Sequence, residues 1–432
     1  MRRDRRPTHR LDHDDRPGSA VGLTRRELLQ TAALGAAGAA VAGEPALAGV
    51  SSVRHGAPAR PQELGDRFDP WIEVEAGALA HNVAEVRRLS TDRPILAVIK
   101  NNAYGLDLTT AAALLEPMPA VVGFAVVKVE AAIALKEAGV RKPVILMALF
   151  SESMAPELAR HGVVPCIYSD DALRLIEPMV QTAGGPIDAQ VYLDTGMSRM
   201  GIPYRKALPW IESVVGSGKV RVEGVFTGFT EDPEFDHEQL RRFTSVTDQA
   251  SEAGFPLGVR HAASSSAVFE LPEAHLDMVR PGMALYGGYP NDPALQRHKA
   301  SLRCAFRLKA RVVRVQRLQS GDSVSYGRDY VAQEPTWVAT LPVGHTDGYP
   351  RKAVEGARVL IGSRAYPVIG AVSASHTIVE VGPDPTVAVG DLATLWGPDA
   401  PEIDPNRLSA ETGVSIYDLF MHLNPSLPRV LV

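Results

Sequence analysis

Cysteine and aromatic residues are scarce in this chain: two Cys, Cys166 and Cys304, and 6% Phe, Trp and Tyr in 432 residues. Two thiols so far apart in sequence form no metal-ligand pair, so no metal is expected; both thiols should be buried and inert, with a pairing left open should the protein be exported. No basic stripe with interleaved aromatics occurs and the net charge is -5, which excludes the electrostatic footprint of a nucleic-acid binder. No apolar run approaches the roughly 20 residues of a membrane span. No internal repeat is present. Asp194-Thr195-Gly196 has no second Asp-Thr/Ser-Gly to join it, so aspartic-protease chemistry, which needs two carboxylates sharing a proton, lacks its other half.

What is present describes a soluble globular chain, 45% hydrophobic and 22% charged, long enough for two domains and a tail. Residues 1–22 are rich in Arg, Asp and His without apolar periodicity and are expected to be disordered. Arg25-Arg26, followed by Leu28-Leu29, an Ala/Gly-rich run and Ala46-Leu47-Ala48, has the layout of a twin-arginine export signal. Residues 1–48 are therefore expected to direct export to the periplasm or beyond, with the mature chain beginning near Gly49. No other membrane association is expected. Residues 49–70 read as a Ser/Pro/Gly/Arg-rich tether.

From 71 to 290 short apolar runs at 95–99, 122–127, 143–149, 163–168, 189–193, 222–229, 259–263 and 278–285 alternate with helical patterns. Eight strand candidates separated by helices predict parallel βα units, an α/β (β/α)8 TIM-like barrel. Beyond 290 the runs alternate with period two between Gly, Asp and Pro, which predicts a C-terminal antiparallel β domain over 291–432.

One segment stands out chemically. Ala97-Val98-Ile99-Lys100 is an apolar strand that ends in an amine, and Asn101-Asn102-Ala103-Tyr104-Gly105 follows at once. Burial at a strand end disfavours the ammonium form and prepares a lysine for Schiff-base chemistry, although many strands end in a lysine that only snorkels to water. Three further blocks follow: Asp194-Thr195-Gly196-Met197-Ser198-Arg199-Met200-Gly201, Met278 to Gly287, and Val324-Ser325-Tyr326-Gly327 with Gly344 to Arg351. With these four blocks in order, the chain from Trp71 onwards resembles the alanine racemase family of pyridoxal-phosphate (PLP) enzymes.

The resemblance implies a role for each matching residue. Lys100 would carry PLP and move the α-proton on the face of the D-substrate. Tyr326 would act on the opposite face, supplied by the second subunit of a homodimer with shared active sites. Arg280 would face the pyridine nitrogen and, because guanidinium keeps its proton, leave the ring a weak electron sink. Tyr104, Ser265 and the amides of Gly282 and Met283 would hold the phosphate. Arg199 would lie near the ring hydroxyl and the substrate carboxylate, with Arg351 at the entrance and Ala374 on the substrate side.

The likeness breaks at particular positions. Tyr192 stands where the family often has a carbamylated lysine, and Gly228 where the histidine supporting the pyridine-facing arginine is expected. Ala374-Ser375 replaces a Met-Asp pair, His345 an entrance tyrosine, and Pro425 a phosphate-contacting tyrosine. Lost bulk at the substrate side enlarges a pocket sized for a methyl group and predicts a broad-specificity or non-alanine racemase, to be tested with lysine, arginine, serine and methionine beside alanine. Two rivals remain: another PLP reaction on the same barrel, such as decarboxylation or aldol cleavage, and a non-catalytic exported PLP-binding protein.

Overall fold

The computed structural model describes residues 65–291, 296–384 and 386–432. The export signal read at 1–48, and the tether up to residue 64, lie outside the described residues.

Strand β1 (Trp71–Val74) opens the described chain, and a helix at Ala76–Leu89 follows. The helix turns Ala78, Leu79, Asn82, Val83 and Val86 inward at helical spacing. Buried Asn82 is fully used: its amide donates to the Leu285 and Arg303 carbonyls and its oxygen accepts from the Arg303 amide.

Next come β2 (Ile95–Val98), β3 (Val121–Val126), β4 (Val144–Leu146), β5 (Val164–Ile167), β6 (Ile187–Asp194), β7 (Ile202–Pro203), β8 (Val220–Phe226) and β9 (Val259–His261). Apart from β7, which flanks β6, they pair in chain order and in parallel. Ile95 to Val98 are all buried, as expected of a strand covered on both faces.

The eighth barrel position is not a strand over 278–285. It is one parallel bridge, Ile95 to Val279, flanked by hydrogen bonds from Leu96 N to Val279 O and from Arg280 N to Ala263 O. Pro281 lacks a donor and Gly282 leaves the extended region (φ -123, ψ -82), so pairing stops there and a 3-10 turn runs over Met283–Tyr286. Those hydrogen bonds close the barrel.

The remaining strands are β10 (Phe306–Arg311), β11 (Arg314–Leu318), β12 (Ser323–Val324), β13 (Tyr330–Val331), β14 (Thr336–Leu341), β15 (Arg358–Ile361), β16 (Arg364–Ile369), β17 (Thr377–Gly382), β18 (Leu392–Trp396) and β19 (Arg429–Leu431). All but β12 and β13, which pair with each other, build a nine-stranded sheet in the order β11-β14-β17-β16-β15-β18-β10-β1-β19. The expected C-terminal antiparallel domain is therefore present, with one parallel pair, β1 with β19. Trp71–Val74, read from sequence as the start of the barrel segment, belongs to this sheet. Phe306, Trp396 and Phe420 form its aromatic core, with ring centroids 4.7–5.7 Å apart.

Both cysteines are free and buried. Among the described residues there is no His/Cys/Asp/Glu group able to hold a metal and no helix long and apolar enough to cross a membrane.

Candidate active site

A cavity of about 390 Å³ opens at the C-terminal ends of the barrel strands, where barrels assemble their chemistry. Six of the residues singled out in the sequence line it: Lys100, Tyr104, Arg199, Ser265, Arg280 and Gly282.

Lys100 follows β2, and its position depends on an unusual backbone. Asn101, Asn102, Ala103 and Tyr104 all have φ between 52° and 56°, a left-handed turn that ends at Gly105 (φ 88°). Each non-glycine residue held this way costs about 1–2 kcal/mol, so the surroundings must fix it. Asn102 Oδ1 accepts from the Leu108 amide, and the Gly105 carbonyl accepts from the Arg429 guanidinium at 2.7 Å. A side chain at Gly105 would collide with the Phe420 carbonyl. The turn carries Tyr104 back beneath the lysine, whose Nζ lies 5.9 Å from the Tyr104 ring centroid. Burial, and then the charge of Arg199, push the Lys100 amine below its ordinary pKa, while Glu231 opposes them.

Arg280 is buried without a carboxylate. Its guanidinium donates to the Thr227, His261 and Ala262 carbonyls and lies 3.0 Å from His261 Nδ1. Burial lowers its pKa to about 10, still far above neutrality. His261 is held well below its usual pKa by burial and by that positive charge. Its Nε2 faces Gln190 Oε1 at 3.0 Å, so Nε2 carries the proton and Nδ1 accepts from Arg280. The arginine thus has a supporting histidine. What replaces the histidine absent at Gly228, left open by the sequence, is His261 on β9.

The departures at 192 and 228 belong together. Tyr192 stacks on Phe226 (4.4 Å), Phe226 on His261 (5.2 Å), and Arg280 sits 5.0 Å over the Phe226 ring. A Cβ at Gly228 would stand 3.3 Å from the Tyr192 hydroxyl oxygen. The space beside residue 228 is filled by the phenol, so a large residue at one position accompanies none at the other.

Opposite Arg280, the Ser265 hydroxyl accepts from the Gly282 and Ala284 amides at 3.0 and 3.2 Å. The Tyr104 hydroxyl approaches so closely that a Cβ on Gly282 would meet it at 2.1 Å. Hydroxyls and backbone amides converging without a carboxylate suit a phosphate. Met283 is buried in the turn and its side chain lies outside the cavity lining.

Asp194-Thr195-Gly196 is a structural turn. Asp194 Oδ1 accepts from the Gly196 and Ser198 amides, and the Thr195 hydroxyl meets that of Thr227 at 2.8 Å. This turn presents Arg199 to the cavity.

Tyr326, Arg351 and Ala374 are not in the cavity. They gather around residues 370–376: Ser325 Oγ donates to the Ala371 carbonyl, and Thr346 donates to that of Ala374. Arg351 lies 2.9 Å from His345 Nε2. Tyr326 is 76% exposed. Polar lining residues that escaped the sequence reading include Tyr417 and Glu231. Tyr417 comes from the helix Ile416–Met421, between β18 and β19, and Glu231 from the loop after β8.

Comparisons agree with this architecture. Residues 74–290 match the family model "Alanine racemase, N-terminal domain" and 305–431 match "Alanine racemase, C-terminal domain". An alanine racemase of Carboxydothermus hydrogenoformans is 33% identical over 367 residues, 84% of this chain and 99% of that one. One from Desulfovibrio desulfuricans is 32% identical over 368 residues, 84% and 98% of the two chains. Among solved structures, the alanine racemase of Streptomyces coelicolor A3(2) superposes with a TM-score of 0.78 at 26% identity, covering 86% of this chain and 99% of its own. A barrel with an amine at its mouth, a proton-retaining arginine and a phosphate cradle, continued by the matching second domain, makes this chain a member of the alanine racemase family.

Proposed function

We propose that this chain is a PLP-dependent amino-acid racemase that works as a homodimer by two-base proton transfer. The observation that carries the reading is the shared cavity of Lys100 and Arg280, one an amine with a depressed pKa, the other a guanidinium braced by a neutral histidine.

The residues present fit PLP: Ser265, Gly282 and Tyr104 would hold its phosphate, Arg280 would face its ring nitrogen, and Lys100 lines the same cavity as an amine to carry it. When bound, PLP supplies the electron sink that acidifies the α-hydrogen of an amino acid. The rest is done by the chain. Arg199 holds the substrate carboxylate. Lys100 Nζ takes or returns a proton on one face. Arg280 keeps its own proton, which limits the sink and favours brief deprotonation over side reactions.

Inversion needs a second base opposite the first, because a single base that removes and returns a proton on one side retains configuration. Tyr326 is the residue for that task, reaching the cavity from the second subunit. A tyrosine so exposed in the single chain is what a shared site would bury. The substrate side carries little bulk at Ala374 and His345, which supports a range wider than alanine. Exchange of the α-proton in deuterated water, over L- and D-amino acids, tests the whole reading. Exchange with inversion is expected; decarboxylation or aldol cleavage without inversion rejects it.

Gly282→Ala should weaken PLP binding by roughly tenfold or more, because overpacking a close contact costs about 1–3 kcal/mol. Equilibrium titration of the cofactor-free protein measures this, and unchanged affinity would remove Gly282 from the cradle.

The twin-arginine layout supports export of the folded protein. Arg25→Lys combined with Arg26→Lys is expected to retain it in the cytoplasm on cell fractionation; normal export of that double variant rejects the route.

A further inference from the structure

We propose that Glu231 selects substrates that bring a second cationic group, so that the preferred amino acids are basic ones such as lysine, ornithine or arginine. This rests on the racemase reading and names the substrate class of the same site.

Among the lining residues three are cationic, Lys100, Arg199 and Arg280, and one is a carboxylate, Glu231. The cations have tasks in the reading above: proton transfer, the substrate carboxylate and the pyridine nitrogen. The carboxylate has none. An anion beside a pocket that must accept a phosphate and an α-carboxylate opposes both, unless a cation arrives with the substrate.

Nearby acids are occupied. Asp232 accepts from the Phe235 amide, Asp236 from Thr230, and Glu238 pairs with Arg241 and Arg242. Among the described residues no hydrogen bond or ion pair reaches the side chain of Glu231.

Its placement is built into the fold. Thr230 is clamped through its amide and hydroxyl by Asp236 and Gln239, and Gln239 also donates to the Gly228 carbonyl. The clamp holds Glu231 at φ +65°, a left-handed conformation uncommon for a residue with a long side chain. Strain of this kind persists where surrounding contacts over-determine it. Burial, and then the charge of Asp236, push the Glu231 carboxyl above its usual pKa, with Lys100 opposing. That is a partly dehydrated acid facing the cavity.

Every amino acid offers the same α-carboxylate and α-amine, and the amine is committed to the cofactor. Only the side chain is left to meet Glu231. As the cavity fills, a neutral side chain dries the carboxylate without replacing its water, whereas a terminal ammonium or guanidinium supplies a charge-assisted hydrogen bond. In the homodimer proposed above, the reduced bulk that Ala374 and His345 of the second subunit would bring leaves length for such a chain.

The test uses the PLP-loaded enzyme and three substrates: lysine, methionine as a neutral chain of similar reach, and glutamate. Racemisation rates are measured for the natural protein, Glu231→Gln and Glu231→Lys. Binding is read separately, from the shift of the cofactor absorbance on adding each amino acid. The natural protein should favour lysine over methionine in kcat/KM by roughly tenfold or more, the range expected of a hydrogen bond to a charged group. Glu231→Gln should remove that preference, chiefly through KM and with the same loss in the binding titration. Glu231→Lys should shift preference toward glutamate. Preference for methionine in the natural protein, or a lysine-to-methionine ratio unmoved by Glu231→Gln, overturns the role of Glu231 and leaves the racemase reading intact. Absence of α-proton exchange with every substrate overturns both.

Discussion

Lys100→Ala is expected to leave a folded protein that interconverts no amino acid. Its rate should fall by at least roughly 10⁴-fold, the upper range for a positioned acid–base group, because the amine both carries the cofactor and moves the proton. Among the described residues no hydrogen bond or ion pair ties the Lys100 ammonium to the fold. The left-handed turn that follows is held by backbone and by Asn102 and Arg429. Thermal unfolding should therefore shift little, which separates a chemical loss from a structural one. Added methylamine should restore part of the exchange, since the variant lacks only the amine and its stem. Activity above a hundredth of the natural level, or a failure of folding, would remove Lys100 from its proposed place.

Tyr326→Phe should be nearly as damaging to racemisation and differ in kind. With one base gone, proton exchange persists on the remaining face while configuration is retained. Deuterium should wash into the D-substrate in deuterated water, with racemisation lower by roughly 10²-fold or more. A decarboxylase or aldolase would keep its rate in this variant.

The partner's contribution can be tested by mixing. Co-expressed Lys100→Ala and Tyr326→Phe chains are each inactive alone. Random pairing makes half the dimers mixed, each with one intact site, so about a quarter of the natural activity should return if the bases come from different subunits. No recovery, in a dimer shown to exchange subunits, would mean that both bases belong to one chain.

Seven of the eight barrel strands were legible because each is a short, mainly apolar run set between helical patterns, even where polar residues interrupt it, as in β8 (VRVEGVF) and β9 (VRH). The eighth, at 278–285, was overextended: its composition is apolar, but Pro281 and Gly282 stop the pairing after one bridge. Trp71–Val74 looked like part of the barrel because a strand's composition does not name its partner, and its partners, β10 and β19, lie far along the chain. The cavity residues on motif blocks could be picked out locally. Tyr417 and Glu231 could not, since each reaches the cavity through tertiary packing and neither sits in a distinctive pattern. The replacement for the histidine missing at Gly228 was hidden for the same reason. His261 reaches Arg280 from a neighbouring strand, a relation set by barrel closure and invisible to spacing.

The pairing of β1 with β19 bears on how the molecule is made. Trp71–Val74 is synthesised long before its neighbours, the antiparallel one beginning at Phe306 and the parallel one at Arg429. Until Arg429–Leu431 is made, one edge of that strand has no partner, so the sheet is completed only when this late strand emerges. Arg429, on the same final strand, also grips the Gly105 carbonyl beside the cofactor lysine. A nascent chain therefore acquires its finished reaction centre only once Arg429 has emerged, and removal of β19 should impair the barrel mouth as much as the sheet it visibly shortens.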